Sequence, residues 1–219
     1  MINQRLTDLY LTNYERFKSL RNQFPEQTFN GPYFCSPSDL YLQQQIPLLC
    51  IGQETYGWKS SDNIEQQMDF YRQFNVGETY TKSSPFWHLI RQLEALFNES
   101  SYSSSALNLN RYDVSGGRPK KDQLQAFEQL DDILVSEINI LNPKVCIFFT
   151  GHKSDYRLEK IYPGIEKIDI PGLPLSSFCI LKHENLPVNT FRTYHPAFLR
   201  RSKLTPPVIK YLSSLKLEL

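Results

Sequence analysis

Two short apolar runs narrow the folds open to this chain more than anything else in its sequence. Ile46-Pro47-Leu48-Leu49-Cys50-Ile51 and Val145-Cys146-Ile147-Phe148-Phe149 are continuous, without the alternation of a strand that has one face in water. The first stops at Gly52 and the second at Thr150-Gly151. Runs of this length with sharp ends read as strands buried on both faces, and such strands need helices above and below them. The intervening sequence supplies those helices. Leu6, Leu9, Tyr10, Tyr14 and Phe17 recur at helical spacing, and Asn63 to Phe74 has a helical pattern. Ser84-Pro85 has the cap-and-first-turn chemistry that starts a helix, ahead of the stripe Leu89, Ile90, Leu93, Leu96 and Phe97. Leu124, Phe127, Leu130, Ile133, Leu134 and Ile138 predict one long helix, and Thr205-Pro206 opens a last one with Val208, Tyr211, Leu212 and Leu215. Strands are also expected at Ala106–Asn110 and Phe191–Tyr194, with shorter ones at Ile168–Ile170 and Phe178–Leu181. Alternating strands and helices predict an α/β fold, three-layer α/β/α, around a central four-stranded parallel sheet. With 219 residues, no repeat and no linker, residues 1–219 are expected to form a single domain.

Composition removes several function classes. Lysine plus arginine exceed aspartate plus glutamate by one (24 − 23), so any nucleic-acid site must be a local basic patch. No apolar stretch reaches the roughly 18 residues of a membrane span. Met1 to Leu20 is charged throughout, without the apolar core of a signal peptide, and a cytoplasmic location is the expectation. Cys35, Cys50, Cys146 and Cys179 form no CxxC pair, and no ligand spacing links them to the four histidines. They are expected to be structural thiols, with no metal and no other cofactor.

In open α/β sheets ligands bind beyond the carboxyl ends of the strands. Three expected strands end in, or carry, polar residues that a core would not select. They are Gly52-Gln53-Glu54-Thr55-Tyr56-Gly57-Trp58, Asn108 with Asn110, and Tyr194-His195-Pro196-Ala197-Phe198-Leu199-Arg200. If these strands are parallel neighbours, a carboxylate, an amide and an imidazole line one rim. The carboxylate can orient water or stabilise a cation, the amide can present both donor and acceptor to a planar ligand, and the imidazole can donate to a developing oxyanion. Each also has a plainer reading, as a solvated acid, a loop-satisfying amide and a packed turn residue.

Gly52-Gln53-Glu54-Thr55-Tyr56 resembles the G-Q-D-P-Y motif of the uracil-DNA glycosylase superfamily, with Glu for Asp and Thr for Pro. His195-Pro196-Ala197-Phe198-Leu199 resembles its H-P-S-P-L motif, and Thr193 to Arg200 is similar to the iron–sulfur branch. Phe148-Phe149-Thr150-Gly151 resembles the family's penultimate strand. The iron–sulfur branch's cysteine pattern is missing, so that cofactor is not implied. The resemblance implies a DNA glycosylase that flips a base and cleaves its N-glycosidic bond. Glu54 would orient water and stabilise the sugar cation, and His195 would stabilise the leaving base. Gly52, Gln53 and Asn108 would bind the substrate, Asn108 reading its edge, with Asn110 as the other register. Tyr56 would crowd the C5 position, Phe86 or Trp87 would stack on the base, and Leu199 would enter the duplex. Lys153, Arg200, Arg201 and Lys203 would meet phosphates. DNA is the implied partner of an expected monomer. Two other readings stay open: a catalytically silent nucleic-acid-binding module of the same fold, and a hydrolase of free nucleosides or nucleotides.

Overall fold

A computed structural model describes residues 1–97 and 100–215. In chain order the first elements are α1 (Ile2–Thr12), α2 (Tyr14–Asn22), β1 (Phe29–Asn30), α3 (Asp39–Gln43), β2 (Leu48–Gly52) and α4 (Ile64–Phe74). They are followed by α5 (Pro85–Phe97), β3 (Ser105–Asn108), β4 (Asp113–Val114), α6 (Lys121–Phe127), α7 (Asp131–Leu141) and β5 (Val145–Phe148). The chain ends with α8 (Asp155–Ile161), β6 (Glu166–Ile168), β7 (Phe178–Lys182), β8 (Asn189–Thr193), α9 (Pro196–Arg201) and α10 (Thr205–Ser213). Two compact units form, each from three segments. The first comprises Met1–Ser36, Gly52–Gln73 and Leu107–Asn142; the second comprises Pro37–Ile51, Phe74–Ala106 and the chain from Pro143 onward.

The fold is mixed α/β about a six-stranded sheet of order β3-β2-β5-β8-β7-β6. Strands β2, β5 and β8 run parallel, with Leu48 beside Val145 and Val145 beside Asn189. The sheet is therefore larger than the four strands expected. The two additional strands are antiparallel, β7 to β8 and β6 to β7. The apolar pattern of a short strand carries no direction, so the sequence could place Phe178–Leu181 but not orient it. Val145, Ile147 and Phe149 face a core that α5, α9 and α10 cover through Leu89, Ile90, Leu93, Leu199, Val208 and Leu212. Cys146 and Phe148, which alternate with them, are also fully buried, as a strand covered on both faces requires. All four cysteines are buried free thiols, and burial pushes those of Cys50 and Cys146 up, away from the reactive thiolate.

The first unit is built differently. The helix expected from Leu6 to Phe17 breaks at Asn13 into α1 and α2, and that from Leu124 to Ile138 becomes α6, a short 3₁₀ turn at Glu128–Leu130, and α7. Tyr10 stacks on Phe34 at 4.2 Å, and Phe29 meets Tyr112 and Phe127 edge-on. Among these rings lies an ion pair between Arg111 and Glu137, both buried. Tyr10 donates its hydroxyl hydrogen to Glu137 Oε1 (2.5 Å) and accepts from the Cys35 amide (2.9 Å). Burial pushes the Glu137 carboxyl up, and Arg111 and the Tyr10 hydroxyl oppose that push. The small sheet of β1 and β4 is antiparallel, pairing Phe29 with Val114 and Asn30 with Asp113.

Candidate functional site

The segment after β2 lies in the first unit, and a backbone zipper sets its course. Leu109 N donates to Gly52 O (3.0 Å) and Asn110 N to Gln53 O (2.7 Å). This pairing continues beyond the last residue of β3, Asn108, so the stretch expected as strand to Asn110 runs on as paired coil. It brings Asn110 to Glu54: the amide Nδ2 donates to Oε2 at 3.0 Å. Arg118 Nε donates to the other carboxylate oxygen at 3.3 Å, and its guanidinium also donates to the Gln53 side-chain oxygen. The Glu54 side chain is only 14% exposed, whereas that of Arg118 is 64% exposed. Asn108 is buried in β3. No side-chain partner of Asn108 is found among the described residues, so its amide is uncommitted where that of Asn110 is spent on Glu54.

Asp113 fixes the next stretch. One of its carboxylate oxygens accepts from Thr55 Oγ1 (2.8 Å), Gly57 N (2.9 Å) and Trp58 N (3.1 Å). The other accepts from Asn30 Nδ2 (2.7 Å) and Gly116 N (2.8 Å). A fully buried carboxylate with five donors replaces its lost water and holds two loops together. Gly57 adopts φ +73°, which an L side chain would strain, and the chain bends there. Tyr56 stands at the corner, 89% exposed. It therefore does not form the wall against a C5 substituent that the resemblance implied: with Thr55, Gly57 and Trp58 tied inward to Asp113, the corner residue is left outside.

In the second unit His195 follows β8 and caps α9. Its Nδ1 accepts from Ala197 N at 3.2 Å. A backbone N–H can only donate, so Nδ1 is unprotonated, and the neutral ring carries its hydrogen on Nε2 as a donor. Phe86 stacks on the imidazole at 5.6 Å and 25°, while Trp87 packs its indole over Gly77, where a Cβ would come within 2.1 Å. Of the two expected stacking rings, Phe86 is thus the one beside His195. Tyr194 bonds to His152 Nδ1 at 2.7 Å. Leu199 is fully buried in the apolar core, so it does not project toward a duplex: α9 turns that face inward. Lys153, Arg200, Arg201 and Lys203 are exposed.

The structure thus brings Gly52, Gln53, Glu54 and Asn110 together in one unit and Phe86 with His195 in the other. Sequence reasoning passed over Arg118 and Asp113. A cation just after Gly116-Gly117 was the available signal for Arg118; nothing in the sequence singles out Asp113 among the acids. Among the described residues no group of three or more His, Cys, Asp or Glu side chains could hold a metal ion, and no helix is long and apolar enough to cross a membrane. No model of a known protein family matches the chain, and no curated protein does either.

Proposed function

We propose that the chain is a DNA glycosylase that hydrolyses the N-glycosidic bond of uracil or a related damaged base, as in base-excision repair. The observation that carries this reading is Glu54: a largely shielded carboxylate just past the carboxyl end of a parallel strand, fixed by Asn110 and Arg118. In the reaction, a water oxygen bonds to C1′ as the C1′–N bond breaks, and that bond's electron pair leaves with the base. The water's proton passes to solvent, and the base is protonated. Glu54 would accept a hydrogen bond from the water and set its negative charge against the sugar cation. Fixed charge in a shielded site stabilises such a cation far better than mobile water does. His195, with Nε2 as donor, would stabilise the leaving base, and the uncommitted amide of Asn108 would read its edge. The test is incubation with oligonucleotides that carry uracil, hypoxanthine, xanthine or alkylated bases, followed by alkaline cleavage at abasic sites. Product from at least one is expected.

One observation favours a second reading. Arg118 already shares the Glu54 carboxylate and offsets part of its charge. A catalytically silent DNA-binding module of similar build would tolerate that pairing. Folded protein that binds DNA but releases no base from any substrate would select this reading.

A further inference from the structure

Tyr56 is an exposed ring on a fixed support. Asp113 binds the residues on either side of it, and the same carboxylate holds Gly116. Trp58 is tied inward by an edge-on contact with Tyr33 at 4.7 Å, and Ser60 accepts from Gly31 N at 3.0 Å. The ring therefore reaches solvent from a corner whose backbone is already ordered, and a ligand that covers it need not order the loop. The turn at Gly116 runs alongside: a Cβ on Gly116 would lie 3.8 Å from Gly57 N. From that turn the chain passes through Arg118, Lys120 and Lys121, all exposed, with Asp122 next. Arg118 is shared with Gln53 and Glu54, which leaves the two lysines as the charges open to an outside partner.

We propose that Tyr56 and the Arg118–Lys121 segment form a docking surface for a single strand of nucleic acid, one base stacking on the Tyr56 ring and the lysines meeting phosphates. The inference rests on the glycosylase reading for the nature of the ligand, and for its place on the exposed ring and on the cations that follow the turn at Gly116. A ring on a charged rim suits a strand with open base faces. A duplex, whose bases are already stacked, offers the ring much less. With Arg118 paired to Glu54, the two lysines outnumber the one exposed aspartate beside them, Asp122, and leave the segment a small positive excess in a chain whose overall balance is only +1.

The test is fluorescence anisotropy of the full chain with labelled, undamaged oligo-thymidine strand and a matched duplex, over a salt series. The strand should bind more tightly than the duplex. Tyr56→Ala should weaken strand binding about tenfold or more, and Tyr56→Phe should keep it. The Lys120→Gln, Lys121→Gln double variant should lower the slope of log affinity against log salt by about 1.4. Circular dichroism checks that the variants are folded. Equal strand affinity for wild type and Tyr56→Ala would overturn the proposal, as would no strand binding at low salt. Tyr56-dependent binding without any base excision would keep the surface and sink the glycosylase reading. Excision with binding indifferent to Tyr56 would do the reverse.

Discussion

Both units carry an ion pair on a buried arginine, Arg111 with Glu137 in the first and Arg192 with Asp155 in the second, but they differ in the sheet and the apolar cluster that accompany them. The second buries Leu48, Cys50, Val145, Ile147 and Phe191 beneath α5, α9 and α10, an interior where most neighbours are interchangeable in kind. The first places an arginine–glutamate pair and a five-donor aspartate among its buried groups and has a sheet of only two-residue strands. Apolar burial is tolerant of detail, because shape and volume matter more than identity. A buried polar network is not, because removing one partner strands another away from water. The loop that carries Glu54 is held by such a network, since Thr55, Gly57 and Trp58 all donate to Asp113, and a single substitution there can cancel those bonds.

The contrast can be broken most forcefully at Arg111. Arg111→Met should cost about 3–5 kcal/mol of unfolding free energy in a denaturant titration, since Glu137 is left buried without its cation. Replacing both, Arg111→Met with Glu137→Leu, should recover much of that loss. Asp113→Ala should cost less, about 3 kcal/mol, because some of its donors sit in loops that water can reach after local opening. It should also speed amide exchange at Gly57, Trp58 and Gly116. Ile147→Val in the second unit should cost only about 1 kcal/mol, the loss of one methylene in a packed apolar core. A larger cost for Ile147→Val than for Asp113→Ala would erase the distinction between the apolar cluster and the polar network.

The same contrast decides what was legible in the sequence. Strands β2 and β5 were plain because an apolar run needs no partner to be recognised, and α5 was plain because Ser84-Pro85 marks its start. The break at Asn13 was hidden, since the apolar spacing of Leu6 to Phe17 runs through it. Strands β1 and β4 are too short to show any period. At the candidate site, Gly52-Gln53-Glu54 stood out as polar residues closing an apolar run, and the two asparagines stood out inside one. Which asparagine is spent on Glu54 depends on the zipper between Gly52-Gln53 and Leu109-Asn110, a backbone fact with no side-chain signature. Tyr56 was misplaced because its direction is set by a bend at Gly57 and by Asp113, far away in sequence. Leu199 was misplaced because a leucine on a short helix looks alike whether the helix turns it in or out.

Single-turnover base release by wild type and Glu54→Gln, on whichever damaged oligonucleotide the wild type processes, is the most direct test of the central claim. The substitution keeps the size of the side chain and removes the charge that should face the sugar cation. A fall of about 100- to 1000-fold, or roughly 3–4 kcal/mol, is expected, with affinity for the damaged strand retained. Equal rates for the two proteins, or no base release by the wild type from any substrate, would contradict it.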